Sequence, residues 1–85
     1  MKEFTHIVKD EIGLHARPAG ALSKIAKEFK SEIIVEKSGN QVNATKLMML
    51  MGLGIKQNDL LTIKISGEDE QEALTAIQNF FINNL

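Results

Sequence analysis

Along LLTIKIS, residues 60–66, apolar and polar residues alternate, so a strand there turns Leu61, Ile63 and Ile65 one way and Thr62 and Lys64 the other. The first apolar segment repeats the pattern. A strand over Lys2–Lys9 places Phe4, His6 and Val8 on one face and Thr5 and Ile7 on the opposite one. Strands apolar on one side build a sheet with one covered face and one wet face, which suits antiparallel pairing. The rest of the sequence offers a cover for the apolar face.

The cover is legible as helical periodicity. Ala19, Leu22, Ile25, Ala26 and Phe29 fall on one stripe of a helix expected over Ala16–Phe29, with Pro18 in its first turn, where no intrahelical donor is lost. A short helix over Thr45–Met51 carries Leu47, Met48, Leu50 and Met51 and ends at Gly52 and Gly54. The last helix aligns Ala73, Leu74, Ile77, Phe80 and Phe81; Asp69 is its expected cap, with Glu72 reaching back as in a capping box. Between these, EIIVEK and NQVN flank Ser38-Gly39 and read as a hairpin. The order is β-α-β-β-α-β-α. It predicts an α+β fold, an open-faced β-sandwich whose four-stranded, mainly antiparallel sheet carries three helices on one face, in a single domain over residues 1–85.

Composition narrows the function. A net charge of −1 argues against a general nucleic-acid binder, and with no tryptophan or tyrosine there is little for bases to stack on. Without cysteine there are no disulfides or thiolate zinc sites. The opening MKEFTHIVKDE lacks a signal-peptide core, and LMMLMGLGI is too short to span a bilayer. The expectation is a cytoplasmic protein that neither inserts into membranes nor needs a cofactor or metal.

The chemistry concentrates in GLHARPAG, residues 13–20. If the first helix starts at Ala16, His15 is its N-cap, facing first-turn N–H groups that lack intrahelical partners. The helix dipole and Arg17 both oppose a proton on the ring and favour an anion beside it. A neutral imidazole keeps a nucleophilic lone pair, and arginine with a helix N-terminus makes a receptor for phosphoryl oxygens. Lys24 and Lys27 extend the positive field along the helix. His6 carries no such surroundings in sequence and is expected to be structural or solvent-facing.

GLHARPA, KSGNQVNATKLMMLMGLGIKQ and ISGEDEQEAL together make the whole chain resemble the HPr family, the histidine-containing phosphocarriers of the bacterial sugar phosphotransferase system. The resemblance implies the same open-faced sandwich. It also implies a carrier, not an enzyme, that takes a phosphoryl group from enzyme I, charged by phosphoenolpyruvate, and passes it to an enzyme IIA domain. The carrying residue maps onto Nδ1 of His15, with Arg17 as its guanidinium. The docking surface maps onto Ala16, Gly20, Lys24 and Lys27 of the first helix and Leu47, Met48 and Met51 of the second. A carrier presenting one face to successive partners is expected to be a monomer. A regulatory binding protein, or a phosphorelay unconnected with sugar, is the alternative on the same fold.

The resemblance fails at one place. Many Gram-positive members carry a regulatory serine where this chain has Lys46, a glycine where it has Met49, and a serine where it has Gly52. Thr45 offers the neighbouring hydroxyl, either as a plain N-cap for the short helix or as a substitute phosphosite.

Overall fold

The last strand in the chain lies inside the sheet. In the computed structural model, which describes residues 1–85, the elements run β1 (Lys2–Ile7), α1 (Ala16–Ala26), β2 (Glu32–Lys37), β3 (Asn40–Asn43), α2 (Leu47–Gly52), β4 (Leu60–Ser66) and α3 (Glu70–Asn84). The sheet order is β1-β4-β2-β3, and every neighbouring pair is antiparallel. Central β4 is therefore flanked on both sides, its Ile63 pairing with Phe4 of β1 and with Val35 of β2. This is the open four-stranded sheet with three helices that the alternation predicted.

Burial follows the alternation residue by residue. Leu61, Ile63 and Ile65 are fully buried, as are Val35 and, almost entirely, Ile33, while Ile7 and Leu60 pair on the open face and stay exposed. The helices supply Ala19, Leu22 and Ala26 from α1, Leu50 from α2, and Ala73, Ile77 and Phe81 from α3. Phe81 sits at the junction of layers. Its ring meets Phe4 edge-on at 5.9 Å, Phe80 edge-on at 5.9 Å, and His6 at 5.3 Å. His6 thus serves the packing of β1 on α3, with Nε2 buried and unpartnered. Burying each such side chain contributes about 1.5–3 kcal/mol. The β2–β3 hairpin turns through Ser38 and Gly39, both at positive φ (51° and 84°), the primed geometry that matches strand twist.

Element ends depart from expectation for identifiable reasons. β1 stops at Ile7 because the N–H groups of Lys9 and Asp10 turn away to the Leu85 carbonyl. α1 stops at Ala26, not Phe29. Glu28 and Phe29 donate to Ile25 and Ala26, one residue short of helical spacing, and the next two N–H groups, of Lys30 and Ser31, go to the Asp69 carboxylate at 2.8 and 2.9 Å. Asp69 is positioned at the N-cap of α3, but its side chain makes no cap bond. It ties the α1–β2 turn to α3 instead, also accepting from the Ser31 hydroxyl. The expected Glu72 capping box does not form; Glu70, not Glu72, reaches back, accepting from the Gly67 N–H at 3.2 Å.

Candidate functional site

The loop between β1 and α1 is built before the histidine is reached. Oδ2 of Asp10 accepts from the N–H groups of Ile12 (3.1 Å) and Gly13 (3.2 Å), closing a tight turn. The Leu14 N–H then donates to the Ile55 carbonyl at 3.1 Å, and the Leu14 side chain is buried beneath. The segment carrying Ile55 is itself clamped. Lys37 Nζ donates to the carbonyls of Leu53 (3.3 Å) and Gly54 (2.7 Å) and pairs with Asp59 at 2.9 Å. The Lys37 ammonium, and then the Lys56 N–H, hold the Asp59 carboxyl below its usual range. Two anchored loops therefore present the next residue.

That residue is His15, the N-cap of α1, with extended backbone (φ −105°, ψ −171°). Its carbonyl accepts the first intrahelical bond, from Ala19 at 2.9 Å, and its side chain makes no cap bond. The ring is exposed and uncommitted, and the first turn of α1 holds no acidic residue. Arg17 is exposed in that turn and enters no ion pair. The two line a shallow cavity of about 390 Å³, with Pro18 and Ala21 of α1, Phe80 and Asn84 of α3, and Asp10 of the loop. A nucleophile, a free guanidinium and an open helix N-terminus thus share one space, which suits a phosphoryl group on the ring.

The sequence reading missed Asp10 and Asn84 as cavity walls. Asp10 had a signal, an aspartate three residues before a glycine, which marks a turn. Asn84 had none, because α3 arrives from the far end of the chain.

The residues expected to dock partners fall in two groups, one on α1 and its C-cap and one on α2. Ala16, Lys24 and Lys27 are exposed along α1 and Gly20 is half-buried. On α2 the only buried residue is Leu50; Leu47, Met48 and Met51 are 37%, 78% and 39% exposed. Ser23 locks the two helices together, its hydroxyl donating to the Thr45 carbonyl at 3.0 Å. Lys27, Lys46, Leu47 and Met48 line one groove between the helices, and Met51 lies outside it. Thr45 does not cap α2. Its hydroxyl donates to Asn43 Oδ1 at 2.7 Å, and Lys46 takes the N-cap position without a side-chain bond.

An exposed histidine beside a free arginine, on a small open-faced sandwich, suits a protein that carries an anionic group. Comparison with known proteins agrees. The family described as "PTS HPr component phosphorylation site" matches residues 2–83. The phosphocarrier protein HPr of Mycoplasma pneumoniae is 51% identical over 79 residues, 92% of this chain and 90% of that one. The crystal structure of HPr-C-His from Thermoanaerobacter tengcongensis superposes with a TM-score of 0.92 at 40% identity, covering 98% of this chain and 93% of the other. The HPr-like protein Crh of Halalkalibacterium halodurans is 45% identical over 73 residues, 86% of this chain and 87% of its own. The chain belongs to the HPr family of phosphocarriers of the phosphotransferase system.

Proposed function

We propose that this phosphocarrier takes its phosphoryl group from phosphorylated enzyme I onto Nδ1 of His15 and passes it to an enzyme IIA domain in sugar uptake. The observation that carries the reading is the free, exposed His15 ring beside the unpaired Arg17 at the open end of α1. On loading, the Nδ1 lone pair forms a bond to phosphorus as the donor's bond to phosphorus breaks, and the donor keeps that electron pair. On unloading, the His15 N–P bond breaks, its pair returns to the ring nitrogen, and phosphorus joins the acceptor's nucleophile. Arg17 steadies the charge on the phosphoryl oxygens in both directions. The protein is a substrate of one partner and a donor to the next, not a catalyst in its own right.

Docking falls to Ala16, Gly20, Lys24 and Lys27 with Leu47, Met48 and Met51. Flexible, polarisable methionines suit a surface that must accept more than one partner. The carrier works as a cytoplasmic monomer. The likeness to Crh keeps a regulatory role as the alternative, but an uncommitted His15 supports the carrier. Thr45 already spends its hydroxyl on Asn43, and no switch is proposed there.

Intact mass after incubation with phosphoenolpyruvate and enzyme I tests the reading. One acid-labile phosphoryl group is expected on the wild type and none on His15→Ala. A folded wild type that gains nothing from its own organism's enzyme I, or a gain that survives His15→Ala, would overturn it.

A further inference from the structure

The cavity that receives the phosphoryl group also holds a carboxylate. Asp10 lines it together with His15 and Arg17, yet Asp10 and Arg17 form no ion pair. Nor can Asp10 swing away freely, because Oδ2 is held by the N–H groups of Ile12 and Gly13. Loading His15 brings about two negative charges into that space. Arg17 attracts them and Asp10 repels them, from a position set by the turn.

We infer that Asp10 is a tuning residue of the carrier: its fixed negative charge raises the free energy of the phosphorylated state and so favours handing the group on. The inference rests on His15 as the carrying residue. Arg17 favours the loaded state and Asp10 opposes it. The chemistry is unchanged, since the same N–P bond forms and breaks, and only the balance between loaded and empty states shifts.

The size of the effect follows from the cavity. Charges that face each other across it at roughly 7 Å set the scale. A charge of about −2 facing one of −1 at that distance in water shifts an equilibrium by roughly sevenfold. Salt lowers the figure and the protein wall raises it, so a three- to tenfold shift is expected.

Asp10→Asn removes the charge and keeps an oxygen able to accept the two loop N–H groups. Wild type, Asp10→Asn and Glu11→Gln are each equilibrated with catalytic enzyme I at one phosphoenolpyruvate-to-pyruvate ratio, chosen so that about half the wild type is loaded. The ratio of loaded to empty protein should rise about three- to tenfold in Asp10→Asn and stay put in Glu11→Gln, which loses the same charge from an exposed residue outside the cavity. At ~1 M salt the Asp10→Asn shift should shrink, as screening requires and a structural effect does not. Equal loading of wild type and Asp10→Asn, an equal rise in Glu11→Gln, or a rise indifferent to salt overturns the inference. A wild type that loads at a site other than His15 overturns the carrier reading and this inference together, whereas normal loading with no Asp10 effect overturns this inference alone. Preserved amide resonances of Ile12 and Gly13 confirm that Asp10→Asn keeps the loop; if they move, Asp10→Ser, which also offers an oxygen to the loop, must give the same shift or the inference falls.

Discussion

Gly13→Ala should separate the His15 loop from its support. Gly13 has φ +80°, and a Cβ there would lie 2.5 Å from the Ile55 carbonyl oxygen and 2.8 Å from Lys56 Cα. Both are backbone atoms that cannot rotate out of the way, and the same Ile55 oxygen accepts the Leu14 N–H. The left-handed conformation costs a non-glycine residue about 1–2 kcal/mol. Overpacking adds about 1–3 kcal/mol, and loss of the Leu14 bond about 1 kcal/mol. A total of about 3–6 kcal/mol is a large share of the roughly 4–13 kcal/mol expected for a domain of this length. Gly39→Ala supplies the control. Its φ is +84°, but nothing lies within 4 Å of the added carbon, so only the conformational cost of about 1–2 kcal/mol applies. Urea unfolding followed by far-ultraviolet dichroism reads the difference. With a slope of about 1 kcal/mol per molar, Gly13→Ala should lose about 3 M or more of midpoint and Gly39→Ala about 1–2 M. Where Gly13→Ala remains folded, its phosphoryl acceptance should be slowed and that of Gly39→Ala should not. Equal midpoint losses in the two variants would refute the claim that the two loops are in obligatory contact.

Arg17→Ala should slow phosphoryl transfer by roughly tenfold or more, as expected for a lost charge stabiliser, while thermal unfolding stays put because the side chain is exposed and unpaired; a stability loss of core size would remove Arg17 from the site. Phe81→Ala should cost about 3–5 kcal/mol in urea unfolding, whereas Ile7→Thr on the open face should stay within about 0.5 kcal/mol; similar costs would contradict the assignment of covered and open faces. The Ser31 hydroxyl, then the Lys30 N–H, hold the Asp69 carboxyl below its usual range, as Gln41 and then Lys64 do for Glu36. A carboxyl depressed in the folded state stabilises it above the unfolded pKa of about 4, and that stability is lost as pH falls through the folded value. Asp69→Asn should therefore be less stable than wild type at pH 7, with the gap closing below about pH 4; a gap independent of pH would refute the linkage. Lys46→Glu should reduce the association rate with enzyme I at low salt and matter less at high salt, and an unchanged low-salt rate would remove Lys46 from docking.

How much of this was legible in sequence depended on how local the cause was. Leu61, Ile63 and Ile65 were assigned to the covered face because the period of a strand decides it within a few residues. The placement of His15 at the start of α1 with Arg17 was legible because histidine, arginine and helix start lie within GLHARPAG. Asp69 was misread because capping rules look only a few residues ahead, whereas its partners Lys30 and Ser31 lie 39 and 38 residues back. Thr45 failed as a cap because α2 starts at Leu47, which leaves Lys46 at the N-cap and Thr45 one residue outside it. The position of β4 between β1 and β2 was beyond local reasoning, since pairing partners are chosen by the assembled core. The same limit hid Asn84, which reaches the cavity lined by His15 only once α3 packs on α1.

The net charge of −1 conceals a division of labour among the cations. Lys30, Lys37 and Lys64 are each spent on a carboxylate, holding the base of α3, the loop beneath His15, and the open face of the sheet. Of the seven that form no ion pair, Arg17, Lys24, Lys27 and Lys46 lie on α1, just after it, or at the start of α2, and Lys2, Lys9 and Lys56 lie elsewhere. The chain helps keep the first four unpaired: no aspartate or glutamate occurs from residue 12 to 27 or from 37 to 58, while residues 68–72 crowd four acids at the start of α3. On the proposed docking surface, free cations along α1 and α2 would attract acidic partner surfaces and raise encounter rates. The one acidic side chain that lines the cavity with His15 is Asp10. Asp10, pinned by two backbone N–H groups and lining the cavity with His15, has exposed Glu11 beside it in sequence but outside that cavity, and the proposed tuning of the loaded state gives Asp10 a physical role there.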